Sequence, residues 1–193
     1  MGHRVLVAVI LGVAFVSTAC GPDPSGISRR KLRQPETIEG VPCTSYTTFY
    51  PDGRLSSCFL AEDSEVAGHL LPKGTRVEFD EMGRLDHCFL GRETEIEGHL
   101  CRGHGHEYMT AFHPSGRLRT CWLARAEEID GVPCRRATMI ADIVGGSVGA
   151  TFYESGRLRG CEADRDFTRE GRNFSRGDRV ELDEEGALLA ATP

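Results

Sequence analysis

Three kinds of side chain in this 193-residue sequence have the type and spacing to do chemistry: eight cysteines, a histidine cluster and a recurring arginine. Thiols form bridges in an oxidising compartment and hold soft metals in a reducing one. No Cys-x-x-Cys pair occurs, which disfavours a zinc ribbon or a thioredoxin-like redox site. Cys88 and Cys101 stand 13 residues apart, as do Cys121 and Cys134, each pair flanking a glycine at Gly98 or Gly131. The spacing predicts cross-strand bridges Cys88–Cys101 and Cys121–Cys134, with Cys43, Cys58 and Cys161 left as thiols or as the source of one further pair. The competing reading is an inward-facing core position, because at the same offset Cys58 faces Leu71 and Cys161 faces Phe174 and a buried thiol packs as a small apolar group. Cysteines at the same place in successive units should not bond one another, since strand spacing sets them roughly 9–10 Å apart.

His99, His104 and His106, with Glu107 and Cys101, gather metal-ligand types in one stretch. A zinc site needs three or four converging, supported ligands, and Gly103 and Gly105 read as a loose turn, so no metal or other cofactor is assigned. Arg54, Arg84, Arg117 and Arg157 recur at one place and would line one edge if the units stack in register. Such a row suits a carboxylate, a phosphate or a lipid head group. The plainer reading pairs each arginine with acids of the same turns, such as Asp52, Glu81 and Glu154. No Gly-x-Ser-x-Gly elbow, phosphate loop or dinucleotide fingerprint is present, and a non-enzymatic chain is expected.

These residues are positioned by a repeat. An aromatic residue, a turn, Gly-Arg-Leu and a cysteine recur from Phe49, Phe79, Phe112 and Phe152, and a worn fifth copy runs from Leu182 to Leu188. The turn glycines Gly53, Gly83, Gly116, Gly156 and Gly186 are spaced 30, 33, 40 and 30 residues apart, and a second set, Gly68, Gly98, Gly131 and Gly171, keeps the 30, 33 and 40. Periods of this length mark stacked supersecondary units that lean on their neighbours. Pro51-Asp52-Gly53 and Pro114-Ser115-Gly116 carry the residues of a type I turn closed by a glycine bulge. That geometry sets Phe49 across from Leu55, Phe79 from Leu85, Phe112 from Leu118 and Phe152 from Leu158. The extra length between Arg135 and Ala150 reads as a longer, mobile loop of the kind that often carries binding. The expected fold is therefore all-β, an elongated antiparallel sheet of stacked hairpin repeats over residues 38–193.

On these motifs the chain resembles the MORN-type repeat proteins, and more closely the bacterial YwqK-like, antitoxin-related families with their aromatic-x-x-x-Gly-Arg/Lys-Leu hairpins. The resemblance covers roughly Ile38 to Leu189. It implies a twisted sheet of successive hairpins that binds or scaffolds, with neutralisation of a partner toxin as the alternative. The longer period and the cysteines depart from the common pattern.

At the N-terminus, residues 5 to 16 are uninterruptedly apolar or glycine after Arg4. The run is too short to cross a hydrocarbon core of roughly 30 Å, so residues 1–19 read as a signal peptide. Ser17-Thr18-Ala19-Cys20 resembles the lipobox of bacterial lipoproteins, which implies lipidation of Cys20 and, with Gly21 next, outer-membrane sorting; the alternative is ordinary cleavage after Ala19. Residues 20–37, with Arg29-Arg30-Lys31, read as a flexible tether. Loss of residues 1–19 removes Arg4 and no acid, leaving 22 basic residues against 29 acidic, the wrong sign for a nucleic-acid partner. The expected partners are the membrane, through the lipid, and an unidentified protein or envelope ligand.

Overall fold

The computed structural model describes residues 26–104, 107–137 and 149–189. The expected signal segment, Cys20, His106 and residues 138–148 of the insertion lie outside them. Every regular element among the described residues is a β-strand. Four long hairpins form the main sheet: β3 (Val41–Phe49) with β4 (Leu55–Leu60), β7 (Arg76–Phe79) with β8 (Leu85–Phe89), β11 (Met109–Phe112) with β12 (Leu118–Cys121), and β15 (Ala150–Phe152) with β16 (Leu158–Glu162). They pair in chain order, all antiparallel, with β1 (Ser28–Lys31) at one edge and β19 (Arg179–Glu181) at the other. A bridge between Leu182 and Leu188 closes the worn fifth hairpin.

The turn chemistry behaves as expected. Tyr50 N donates to Arg54 O and Gly53 N to Tyr50 O, both at 2.9 Å, with Gly53 at φ 88°; this is the type I turn with its glycine bulge. Phe49 then pairs with Leu55, Phe79 with Leu85, Phe112 with Leu118 and Phe152 with Leu158. Each of these leucines is buried, and full burial of such a side chain stabilises by about 1.5–3 kcal/mol.

A short hairpin precedes each long one. β2 (Glu36–Ile38) pairs with the start of β3, β5 (Ser64–Val66) with β6 (His69–Leu71), β9 (Thr94–Ile96) with β10 (His99–Cys101), β13 (Glu127–Ile129) with β14 (Val132–Cys134), and β17 (Phe167–Arg169) with β18 (Arg172–Phe174). Their two-residue turns, such as Glu97-Gly98 at φ 50° and 87°, have both centres left-handed, as a type I′ turn requires. Val66, Leu71, Ile96 and Val132 of the short hairpins join one buried cluster with Leu55, Val77, Leu85, Phe112 and Leu158 of the long ones.

Two expectations need correction. The tether does not reach residue 37, because β1 pairs with β3 from Ser28 onward. Its residues are all exposed, so no apolar period marks it: an edge strand needs only backbone bonds on one side, and charge there discourages further pairing. The bridges are also different. Cys43 bonds Cys58, Cys101 bonds Cys121 and Cys134 bonds Cys161, while Cys88 is a buried free thiol. Cys88–Cys101 and Cys121–Cys134 do not form, because the cysteine-bearing strand of each short hairpin meets the long hairpin that follows it. Every bridge joins the third residue after a short-turn glycine to the fifth residue after the next long-turn glycine. Leu71 occupies the place that would partner Cys88, whose thiol burial pushes up to about 12.

Leu71→Cys should therefore create a fourth bridge, to Cys88. Non-reducing peptide mapping should show the linked pair and loss of the buried Cys88 thiol. Closing a loop of this size stabilises by about 3 kcal/mol, offset in part by the smaller side chain. A persistent free thiol at Cys88 under oxidising refolding would contradict this unit boundary.

Candidate binding site at the irregular repeat

The residue before each short-turn glycine sits at a φ near +50°, which costs a non-glycine residue about 1–2 kcal/mol. In four units that residue is acidic and its carboxylate accepts from the backbone N–H of the leucine that opens the second strand of the following long hairpin. Leu55 N donates to Glu39 Oε1 at 3.3 Å, Leu118 N to Glu97 Oε1 at 3.2 Å, Leu158 N to Asp130 Oδ2 at 2.8 Å and Leu188 N to Glu170 Oε2 at 3.2 Å. These clamps pin short hairpin to long. In the second unit the acid is replaced by Ala67, which keeps the turn at φ 53° but has no carboxylate to offer Leu85.

The second unit departs elsewhere too. Tyr50 Oη donates to Phe79 O at 2.6 Å and Tyr153 Oη to Leu182 O at 2.8 Å. His113 Nε2 lies 3.0 Å from Phe152 O, and since a carbonyl only accepts, this nitrogen carries the proton. Asp80 stands at that position in the second unit, and its carboxylate turns inward to Met82 N, Arg84 N and Arg84 Nε at 2.8–2.9 Å. His69 lies over the ring of Phe112 at 4.9 Å between centroids and His99 over Phe152 at 4.6 Å; the corresponding residue of the first unit is the smaller Val41.

Two adjoining cavities border the places where these links are missing. One cavity of about 450 Å³ is lined by Val41, Val66, Ala67, Phe79, Leu85 and Pro114, among others. A second, of about 280 Å³, lies between the second and third long hairpins, beside Asp80, Leu85, Phe112 and Arg119. Arg84, Leu85 and Pro114 border both.

The arginine row meets internal acids. Arg54 pairs with Asp52 and Arg84 with Asp80 at 2.7 Å, Arg117 with Glu97 at 3.0 Å and Arg157 with Asp130 at 3.8 Å. The plainer expectation holds in kind, with Asp80, Glu97 and Asp130 in place of Glu81 and Glu154. Of the histidine stretch, His106 lies outside the described residues; His99 Nδ1 donates to Glu127 Oε2 at 3.0 Å, Cys101 is bridged, and no group of three metal-ligand residues converges among the described residues. The clamp acids escaped the sequence reading, although an acid before the short-turn glycine in four units of five was the visible signal. No family model, curated protein or solved structure matches the chain.

Glu97→Ala should destabilise the fold by about 1–2 kcal/mol in urea titration, the scale of a partly exposed hydrogen bond to a charged group, whereas exposed Glu81→Ala should stay within about 0.5 kcal/mol. Equal effects would rule out the clamp. The Arg84 amide first, and then its guanidinium and the Met82 amide, hold the Asp80 carboxyl below its ordinary 3.8; the Arg54 amide and guanidinium do the same for Asp52. A lowered carboxyl stabilises fully above its unfolded value, and that contribution fades as pH falls through the lowered folded value. Carboxyl ¹³C titration should place both midpoints below 3.8, and ordinary midpoints would show these turns to be open in solution.

Proposed function

We propose that the chain is a non-enzymatic, envelope-anchored binding or scaffold module, held to a membrane by a lipid on Cys20 and presenting its irregular second repeat to a partner. The observation that carries this is the pair of adjoining cavities at the full unit whose turn has no internal clamp. The other repeats satisfy their own leucine amides, which leaves them less to offer a ligand. Three disulfides fit an exported protein in an oxidising compartment.

The anchor reading draws on the edge strand. Seven residues separate Cys20 from Ser28, a reach of at most about 29 Å when extended. A lipid on Cys20 would therefore keep β1 close to the bilayer surface. Arg29, Arg30 and Lys31 are all exposed on that strand, and basic residues near anionic head groups contribute about 1 kcal/mol each.

Mass spectrometry of the mature chain should show Cys20 as an acylated N-terminal residue, and Cys20→Ser should move the protein from the membrane to the soluble fraction. An unacylated start at Cys20 would end the anchor reading. Cross-linking in envelope extract should capture a partner that the wild type retains and Ser115→Trp, at the rim of the larger cavity, loses. Capture unchanged by that substitution would locate binding elsewhere and reject the second repeat as the site.

A further inference from the structure

We infer that the gap beside Ala67 is a receptor for a single carboxylate carried on a small apolar body. This rests on the reading of the chain as a binding module and adds to it the chemical class of the ligand. The repeat itself supplies the template. In the third unit both Glu97 oxygens accept from Arg117 Nε, at 3.0 and 3.1 Å, and Oε1 also accepts from Leu118 N at 3.2 Å. The second unit keeps the same frame. Asp80 N donates to Arg84 O and Gly83 N to Asp80 O at 2.9 Å, matching His113 N to Arg117 O and Gly116 N to His113 O at 2.8 Å. Leu85 therefore directs its N–H away from its partner Phe79, toward the place where Leu118 meets Glu97. The short turn also keeps its backbone, with Ala67 at φ 53° where Glu97 has 50°. The carboxylate is gone, and Arg84, the counterpart of Arg117, turns to Asp80 instead, which leaves the Leu85 N–H as the donor that keeps its place.

The surroundings narrow the ligand. Val41, Val66, Phe79, Leu85 and Pro114 contribute an apolar patch to an open cavity of about 450 Å³ whose lining is otherwise polar, a size within the range that holds small organic ligands. Three charged groups face it, Glu39, Glu65 and Arg84. Glu39 is engaged by Leu55 N, and Arg84 is held by Asp80 at 2.7 Å. With two carboxylates on the rim against one paired arginine, a polyanion such as phosphate is repelled more strongly than a single carboxylate, and a carboxylate with a hydrocarbon tail can offset that repulsion at the apolar patch while taking the Leu85 N–H. Such a group occurs on a free short-chain acid and on the C-terminus of a peptide.

The test is an ¹⁵N-NMR titration of the mature full-length protein, following the Leu85 amide. Butyrate represents the free acid and N-acetyl-leucine the peptide terminus; butyramide and inorganic phosphate are the controls. A saturable Leu85 shift with at least one acid, and at least tenfold weaker response to butyramide and phosphate, is expected. The acid that binds more tightly identifies the source. Ala67→Glu should install the internal carboxylate, shift the Leu85 amide without ligand, raise the urea midpoint and weaken acid binding at least tenfold. Ala67→Asp, which copies the arrangement at Asp130, serves if the glutamate variant folds poorly. The absence of a saturable shift with either acid, an equal response to butyramide or phosphate, or undiminished binding in the acidic variants would each overturn the inference. None of these results bears on Cys20 acylation or on partner capture, so the two readings fail separately.

Discussion

A two-stranded hairpin with three residue pairs cannot hold its shape alone in water, and this constraint governs the molecule. Each short hairpin must be pinned to the sheet before its own hydrogen bonds are worth forming. Three pins recur: an apolar strand face pressed into the common core, a disulfide from its last strand, and a carboxylate from its turn. The first unit has all three, through Val41, Cys43–Cys58 and Glu39. The third and fourth do as well, through Cys101–Cys121 with Glu97 and Cys134–Cys161 with Asp130. The second is held to the core by Val66 and Leu71, with neither bridge nor carboxylate.

The carboxylate pin explains a feature that would otherwise be costly. Left-handed glutamate at Glu39, Glu97 and Glu170 costs about 1–2 kcal/mol of backbone strain, comparable to what a hydrogen bond to a charged group contributes. The two nearly cancel, so the clamp adds little net stability and chiefly fixes where the short hairpin sits. Ala67 keeps the strained turn without that offset, so the turn is held by its neighbours: His69 Nε2 donates to Gly116 O at 2.8 Å, and its ring covers Phe112.

Much of this architecture was legible in the sequence. The long hairpins followed from Phe49, Gly53 and Leu55 and their copies, because turn type fixes register and register fixes which side chains oppose. The phase between the two hairpin sets was not legible in the same way. A constant interval of 13 residues links Cys88 to Cys101 and Cys121 to Cys134, but constancy here reflects the uniform connection from a long hairpin to the next short one. The true bridges span separations of 15, 20 and 27 residues, because the insertions fall inside the bridged segments. Variable spacing was the mark of contact, and counting from the nearest glycines, third place to fifth, would have found all three. The strand at Ser28–Lys31 was hidden for another reason: with no buried face, only its backbone pairing identifies it.

The recurring arginine shows why repetition alone is weak evidence for a binding surface. Four guanidiniums in register look like an anion-reading row, yet each turns to an acid that also recurs or lies in its own turn. Side chains repeated in every unit are free to satisfy one another in every unit, and a stacked array tends to saturate itself. Information about external partners is then concentrated where the pattern lapses. Leu71, Ala67 and Asp80 lapse together within one unit, in three different interactions and on three different strands or turns. Loss of a single pin would fit drift, but the second unit gives up its bridge, its clamp and its tyrosine link while keeping Leu85 and the backbone that presents it. A frame retained without its internal occupants is the arrangement expected where an external group takes their place.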